Sequence, residues 1–215
     1  MPQRNSPSNL ALALTPFLTA FFGLALGSFL GVVHLAALPV EEVESVPEDA
    51  PDNQIFLLKT QRAGFQWEPR EAQLLDPEVT EVRLVEGEIN AWLAARLRET
   101  KADPDAAFKP VSLPTVRLAD DHIHLAVKLG LDTGAGGGET WLQVEGYLES
   151  TSKGPRLHCL GGSLGSGRLP GPAAEILLAM ALSDRLEHKD LQPVLAAWSQ
   201  LKGAEIHGDA LVLKR

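Results

Sequence analysis

His122 and His124 stand two residues apart in HIHLAVKLGL (122–131). On an extended strand, residues i and i+2 share a face, so the two imidazoles point the same way. Histidines so placed are able to share a metal ion, with His158 or Glu145 on a neighbouring strand completing the set. The other face of that strand carries Ile123, Leu125, Val127, Leu129 and Leu131. With the apolar face turned to a core, the histidines read as solvent-facing polar residues, and no metal ligand is assigned.

GGSLGSGRLPG (161–171) is glycine-rich and precedes a helical pattern, an arrangement able to cradle phosphate. A phosphate loop needs GxxxxGK[ST], and no Lys follows here; the dinucleotide fingerprint needs a βαβ unit, which this order of elements lacks. The glycines are read as allowing a strand bend, a bulge or close packing. No GxSxG occurs, and the one cysteine, Cys159, follows His158. Adjacent strand residues point to opposite faces, so the two do not form a nucleophile–base pair. No carboxylate pair stands apart from the solvated acids. No catalytic constellation results; the chain is read as a non-enzyme, and no cofactor is assigned.

Composition narrows the function further. Nineteen Lys and Arg face 28 Asp and Glu, a net charge of −9 over 215 residues. No basic run is present, which argues against a nucleic-acid partner. A single Cys forms no intrachain disulfide.

The elements that position these residues begin with an apolar run. Leu10 to Val40 holds no Asp, Glu, Lys or Arg. At 1.5 Å per residue it spans about 46 Å, more than the roughly 30 Å hydrocarbon core of a bilayer. It exceeds the apolar region of a cleaved signal peptide and reads as a transmembrane signal anchor, its embedded part Phe17 to Leu38. Arg4 precedes it, and six acids follow it before Lys59. That polarity places the N-terminus in the cytoplasm and the main domain outside the membrane. The expected organisation is a tail (1–9), the anchor (10–40), an acidic linker with a membrane-proximal segment (41–78), and an extracytoplasmic domain (79–215).

Within that domain, VTEVRL alternates as a strand. VEGEINAWLAARLRET (85–100) sets Ile89, Trp92, Leu93 and Leu97 on one helical face. Asn is a modest helix former, and the Asn90 amide is expected to bond the backbone of a neighbouring strand or loop. Residues 111–119 and 122–131 alternate around Asp120-Asp121, a tight-turn signal. TWLQVEGYLEST (140–151) alternates again. After Pro170 the period becomes helical, with helices in GPAAEILLAMALSDRLEH and DLQPVLAAWSQLKG, before one or two closing strands in AEIHGDALVLKR. The predicted fold is α+β: an N-terminal transmembrane helix, then an antiparallel sheet covered on one face by helices.

Three stretches carry a family resemblance. VRLVEGEINAWLAARL, GSGRLPGPAAEILL and IHGDALVL, in that order within 79–215, are similar to the corresponding motifs of the YpmS-like family of membrane-anchored bacterial proteins. The loop GAGGGE is longer than that pattern. The resemblance implies an anchor helix ahead of a small extracytoplasmic domain. It transfers no activity, and its likeness to lipid-handling envelope proteins is one of fold alone.

Two functions follow as expectations. The first is binding of a membrane lipid in an apolar groove lined by Ile123, Leu125, Val127, Leu142 and Val144, with Leu177 and Leu178 opposite; the alternative is that these residues fill a dry core. The second is a non-catalytic envelope scaffold. Gly23, Gly27 and Gly31 recur every four residues, and His34 lies near the same face. Such a stripe lets a second helix approach closely, as a homo-oligomer or with another membrane protein.

Overall fold

The computed structural model describes Gly31, His34, Leu35, Leu38, residues 40–44, 47, 54–60, 66–97, 108–119, 121–132, 137–187 and 189–215. Gly23 and Gly27, and most of the apolar run from Leu10 to Val40, lie outside the described residues. Among the described residues, no helix is long and apolar enough to cross a membrane.

The described residues form an α+β fold. In chain order come β1 (Glu41–Val43) and β2 (Phe56–Leu58), α1 (Glu68–Leu75), β3 (Glu81–Val85) and α2 (Glu86–Leu97). Next are β4 (Phe108–Pro110), β5 (Thr115–Ala119), β6 (His122–Asp132), β7 (Gly137–Thr151), β8 (Gly154–Leu164) and β9 (Gly167–Pro170). Then follow α3 (Gly171–Leu186), a 3-10 turn (Lys189–Leu191), α4 (Gln192–Trp198), β10 (Gly203–His207) and β11 (Ala210–Lys214). β4 to β9 make one antiparallel sheet, in which β4 and β5 both pair with β6, and β6, β7, β8 and β9 follow in order. β10, β11 and β3 make a second antiparallel sheet, while β1 and β2 pair in parallel. The sheet expected as one is therefore divided, because the last strands pair with β3 and not with the long meander.

Tight turns set the meander's register. Asp121 closes the β5–β6 turn at φ 62°, a left-handed conformation that a short polar side chain tolerates. In the β8–β9 hairpin, Gly165 takes φ 56° at the first of two turn residues. The glycine-rich stretch is thus a strand, a turn and a strand. A Cβ at Gly162 would run into the Gln143 carbonyl oxygen and lie 3.1 Å from Ala174 Cβ, so its absence lets α3 seat closely on β8.

One face of the long sheet carries the core in two parts. Val127, Leu129, Leu142 and Val144 are sealed beneath Ala174, Leu178 and Ala181 of α3. Towards the other end, Val116 and Leu118 of β5 pack with Leu211 and Leu213 of the second sheet and with Val194 and Ala197 of α4. Residues 68–75 form a helix where the sequence reads as a connection. Pro69 suits its first turn, and Leu74 is its one buried side chain. Its last carbonyls are bonded from far away in sequence: the Arg215 guanidinium donates to the carbonyls of Leu74 and Asp76.

The Asn90 amide meets a strand, as its place in the helix suggests. Asn90 Nδ2 donates to the Val116 carbonyl at 2.7 Å, and Asn90 Oδ1 accepts from the Val116 N–H at 2.7 Å. One turn earlier, Glu86 Oε2 accepts from the Leu118 N–H at 3.1 Å. Helix α2 thus acts as a pseudo-strand along β5. Asn90→Ala would leave a buried donor and acceptor unpaired, at about 1–3 kcal/mol each. The expected loss is about 2–6 kcal/mol, read as a lower urea midpoint with unchanged slope when the detergent-solubilised chain is followed by tryptophan fluorescence.

Candidate functional site

A cavity of about 300 Å³ lies where the long sheet meets the second sheet and helices α1, α2 and α4. Its wall from the long sheet is Val116, Leu118, Ile123, Leu125, Leu148 and Leu157; the second sheet adds Leu84, Leu211 and Leu213. The helices contribute Leu74, Ile89, Trp92, Val194, Leu195 and Trp198. Both helical indoles have their N–H groups engaged, Trp92 on Glu71 Oε2 at 2.5 Å and Trp198 on the Pro155 carbonyl at 2.7 Å. What they turn to the cavity is apolar.

Charged groups collect on one side of the cavity. Glu71 also accepts from Arg96 through Nε, at 2.9 Å, and through Nη2. This bidentate bond keeps the Arg96 guanidinium pKa above its ordinary value despite burial. The same guanidinium stacks 4.9 Å from the Trp67 ring centroid. Arg70 Nε donates to Glu88 Oε1 at 3.0 Å, and Glu88 Oε2 accepts from the Val85 N–H at 2.9 Å. These pairs hold α1 against α2. They leave the cavity an apolar body with an ionic border, as small-molecule sites have.

Of the seven residues expected to line a groove, Ile123 and Leu125 line this cavity. Val127, Leu142 and Val144 are closed beneath α3, which contributes the buried Leu178 and the partly buried Leu177 to that seal. The strand period names a face, and different elements cover the two ends of that face. Ile89 and Trp92 carried a signal as one stripe of a helix. Leu84, Leu211 and Leu213 carried none, because their approach to β5 depends on the pairing of β3 with β11. Gly31 and His34 have helical backbone and are exposed, and a Cβ at Gly31 would meet nothing within 4 Å.

The opposite face of the sheet is polar and bounds a second cleft, of about 470 Å³, between the sheet and the segment that contains β2. Cross-strand pairing aligns Thr115, Ala126, Gln143, Ser163 and Arg168 in one row. The adjoining row is Arg117, His124, Glu145 and Gly161. His122 Nδ1 lies 3.3 Å from Glu145 Oε1, an ion pair when the imidazole is protonated. The His158 ring sits on Tyr147, with centroids 5.0 Å apart. Among the described residues, no group of three or more His, Cys, Asp or Glu is placed to hold a metal ion. Cys159 is buried, and desolvation pushes its thiol pKa up.

No family model, curated protein or solved structure matches the chain. The likeness to the YpmS-like family therefore rests on the three quoted stretches.

Two outcomes follow from this geometry. Glu71→Ala frees Trp92 and Arg96 together and is expected to cost about 1–3 kcal/mol; thermal unfolding and a red shift of tryptophan emission measure it. Cys159 is expected to resist an aromatic disulfide reagent at pH 8 in the native chain and to react fully in urea, as scored by released thiolate.

Proposed function

We propose that the chain is a single-pass membrane-anchored protein, with its N-terminus cytoplasmic, whose extracytoplasmic domain binds a hydrophobic ligand, an acyl chain of a membrane lipid. The observation that carries this reading is the cavity of about 300 Å³ between the two sheets, walled by aliphatic side chains and two indole faces. That volume is at the lower end of the roughly 300–1,000 Å³ of small-molecule sites. Aliphatic walls favour a flexible apolar chain, and they contribute no directed polar groups. The ionic border of Arg70, Glu71, Glu88 and Arg96 suits the polar end of an amphiphile. The uncharged run from Leu10 to Val40 supports the anchor, and the resemblance to the YpmS-like family agrees with it.

The test is native mass spectrometry of the full chain released from lipid nanodiscs. One retained lipid per chain is expected. Ile89→Trp, which places an indole in the cavity, is expected to reduce the bound fraction at least about tenfold while the melting temperature stays within a few degrees. A wild-type chain that emerges only as the bare polypeptide mass overturns the reading. The anchor is tested separately. The intact chain is expected to stay in membranes after alkaline carbonate washing, and a chain lacking residues 1–40 is expected to be released.

A second reading, an envelope scaffold, draws on the glycine stripe. Gly31 is exposed and open around its Cβ position, so this part of the helix offers a close-approach surface to a partner helix.

A further inference from the structure

We propose that the cleft beneath β2 is a second binding site, for an oxyanion (a phosphate or carboxylate group) borne on an amphiphilic molecule. Ser163 is 4% exposed, and its Oγ is buried with no hydrogen-bond partner. Gln143, its direct cross-strand neighbour, has its Nε2 buried and equally unpartnered. Both residues line the cleft. A buried polar atom without a partner costs about 1–3 kcal/mol, and most buried polar groups of native structures have one. A hydroxyl and an amide N–H are donors, and what completes both is an acceptor oxygen.

The surrounding charge selects the kind of oxygen. Among the described residues that line the cleft, Arg117 and Arg168 carry guanidinium groups and Glu145, which faces His122, carries a carboxylate. Arg117 donates one Nη1 hydrogen bond to the Glu44 carbonyl at 3.2 Å. Its guanidinium has five N–H donors, so it can hold that backbone and still meet an oxyanion. Gly161 stands in the Arg117 row, and a Cβ there would have only the Leu169 carbonyl oxygen, 3.5 Å away, near it, so this floor position is bare.

The roof supplies the apolar half of the argument. Phe56, Leu57 and Leu58 of β2 line the cleft opposite these donors. A volume of about 470 Å³ exceeds what a bare phosphate or carboxylate fills. The sheet separates this cleft from the apolar cavity, so the two sites do not compete for one ligand. The membrane as source rests on the anchor reading: the Ser166 N–H donates to the Leu35 carbonyl at 3.0 Å, two residues before Arg168. A soluble phosphate ester would satisfy the same donors.

The experiment titrates the full chain, in a neutral maltoside detergent, with inorganic phosphate, with dihexanoyl phosphatidic acid and with zwitterionic dihexanoyl phosphatidylcholine, by calorimetry. Phosphatidic acid is expected to bind and phosphatidylcholine to bind at least about tenfold more weakly. Phosphate binding without phosphatidic acid binding supports the oxyanion site and overturns its assignment to an amphiphile. Ser163→Ala and Arg117→Gln are each expected to weaken anion binding about tenfold or more. Ser163→Ala without ligand is expected to leave the melting temperature unchanged or raised, since it removes an unpaired hydroxyl. If neither phosphate nor phosphatidic acid binds, the proposal is overturned, as it is by a melting temperature that falls for Ser163→Ala. Neither result bears on lipid retained in the apolar cavity, which the Ile89→Trp variant reads.

Discussion

The paired hydrogen bonds between the Asn90 amide and the Val116 backbone, each 2.7 Å, are the joint on which the rest of the domain depends. β5 is an edge strand, and its outer backbone groups would otherwise face water or another chain. Asn90 presents the donor and acceptor that a neighbouring strand would present, and Glu86 takes the next exposed N–H. The cost of leaving buried backbone groups unpaired makes this position intolerant of an apolar side chain. The same helix carries Ile89 and Trp92, and the same strand carries Val116 and Leu118. Fixing α2 to β5 therefore fixes two walls of the apolar cavity at once.

From that joint, strand alternation distributes the chemistry. β6 sends Ile123, Leu125, Val127 and Leu129 to the core and His124 and Ala126 to the other side. A sheet one residue thick thus supports an apolar cavity below and a donor-lined cleft above. The core face is further divided by what covers it. Under α3, Gly162 and Ala174 bring helix and sheet close enough to leave Val127, Leu129 and Leu142 with no exposed area. Beyond α3, the second sheet and three helices cover the face instead, and the cavity is the space left between them.

Local periodicity makes much of this legible in the sequence alone. β6 alternates over its whole length, α2 shows one apolar stripe, and Pro172 opens α3. Asn90 is legible as a modest helix former inside an amphipathic helix, a residue whose amide is expected to bond a neighbouring backbone. α1 was illegible for a complementary reason. EPREAQLL buries only Leu74, and the Arg215 guanidinium that caps it lies at the other end of the chain. The division into two sheets was equally hidden, because β3 pairs with β11 across the whole intervening domain. The groove residues illustrate the limit. Alternation put Leu125 and Val127 on one face, and only the tertiary position of α3 decides that the first borders a cavity and the second a sealed core.

The polar row shows the same limit at the level of function. Thr115, Gln143, Ser163 and Arg168 come from four strands, and nothing in their spacing along the chain relates them. Register alone makes them neighbours; the turn at Asp121 joins β5 to β6 and the turn at Gly165 joins β8 to β9. A one-residue slip in β7 would turn Gln143 to the core and Leu142 to the cleft. The buried apolar face is thus what forces the donors together. Ser163 and Gln143 gain nothing from each other in the fold. Packing energy gained elsewhere in the sheet keeps two unpaired polar groups adjacent, at a cost that neither of them offsets.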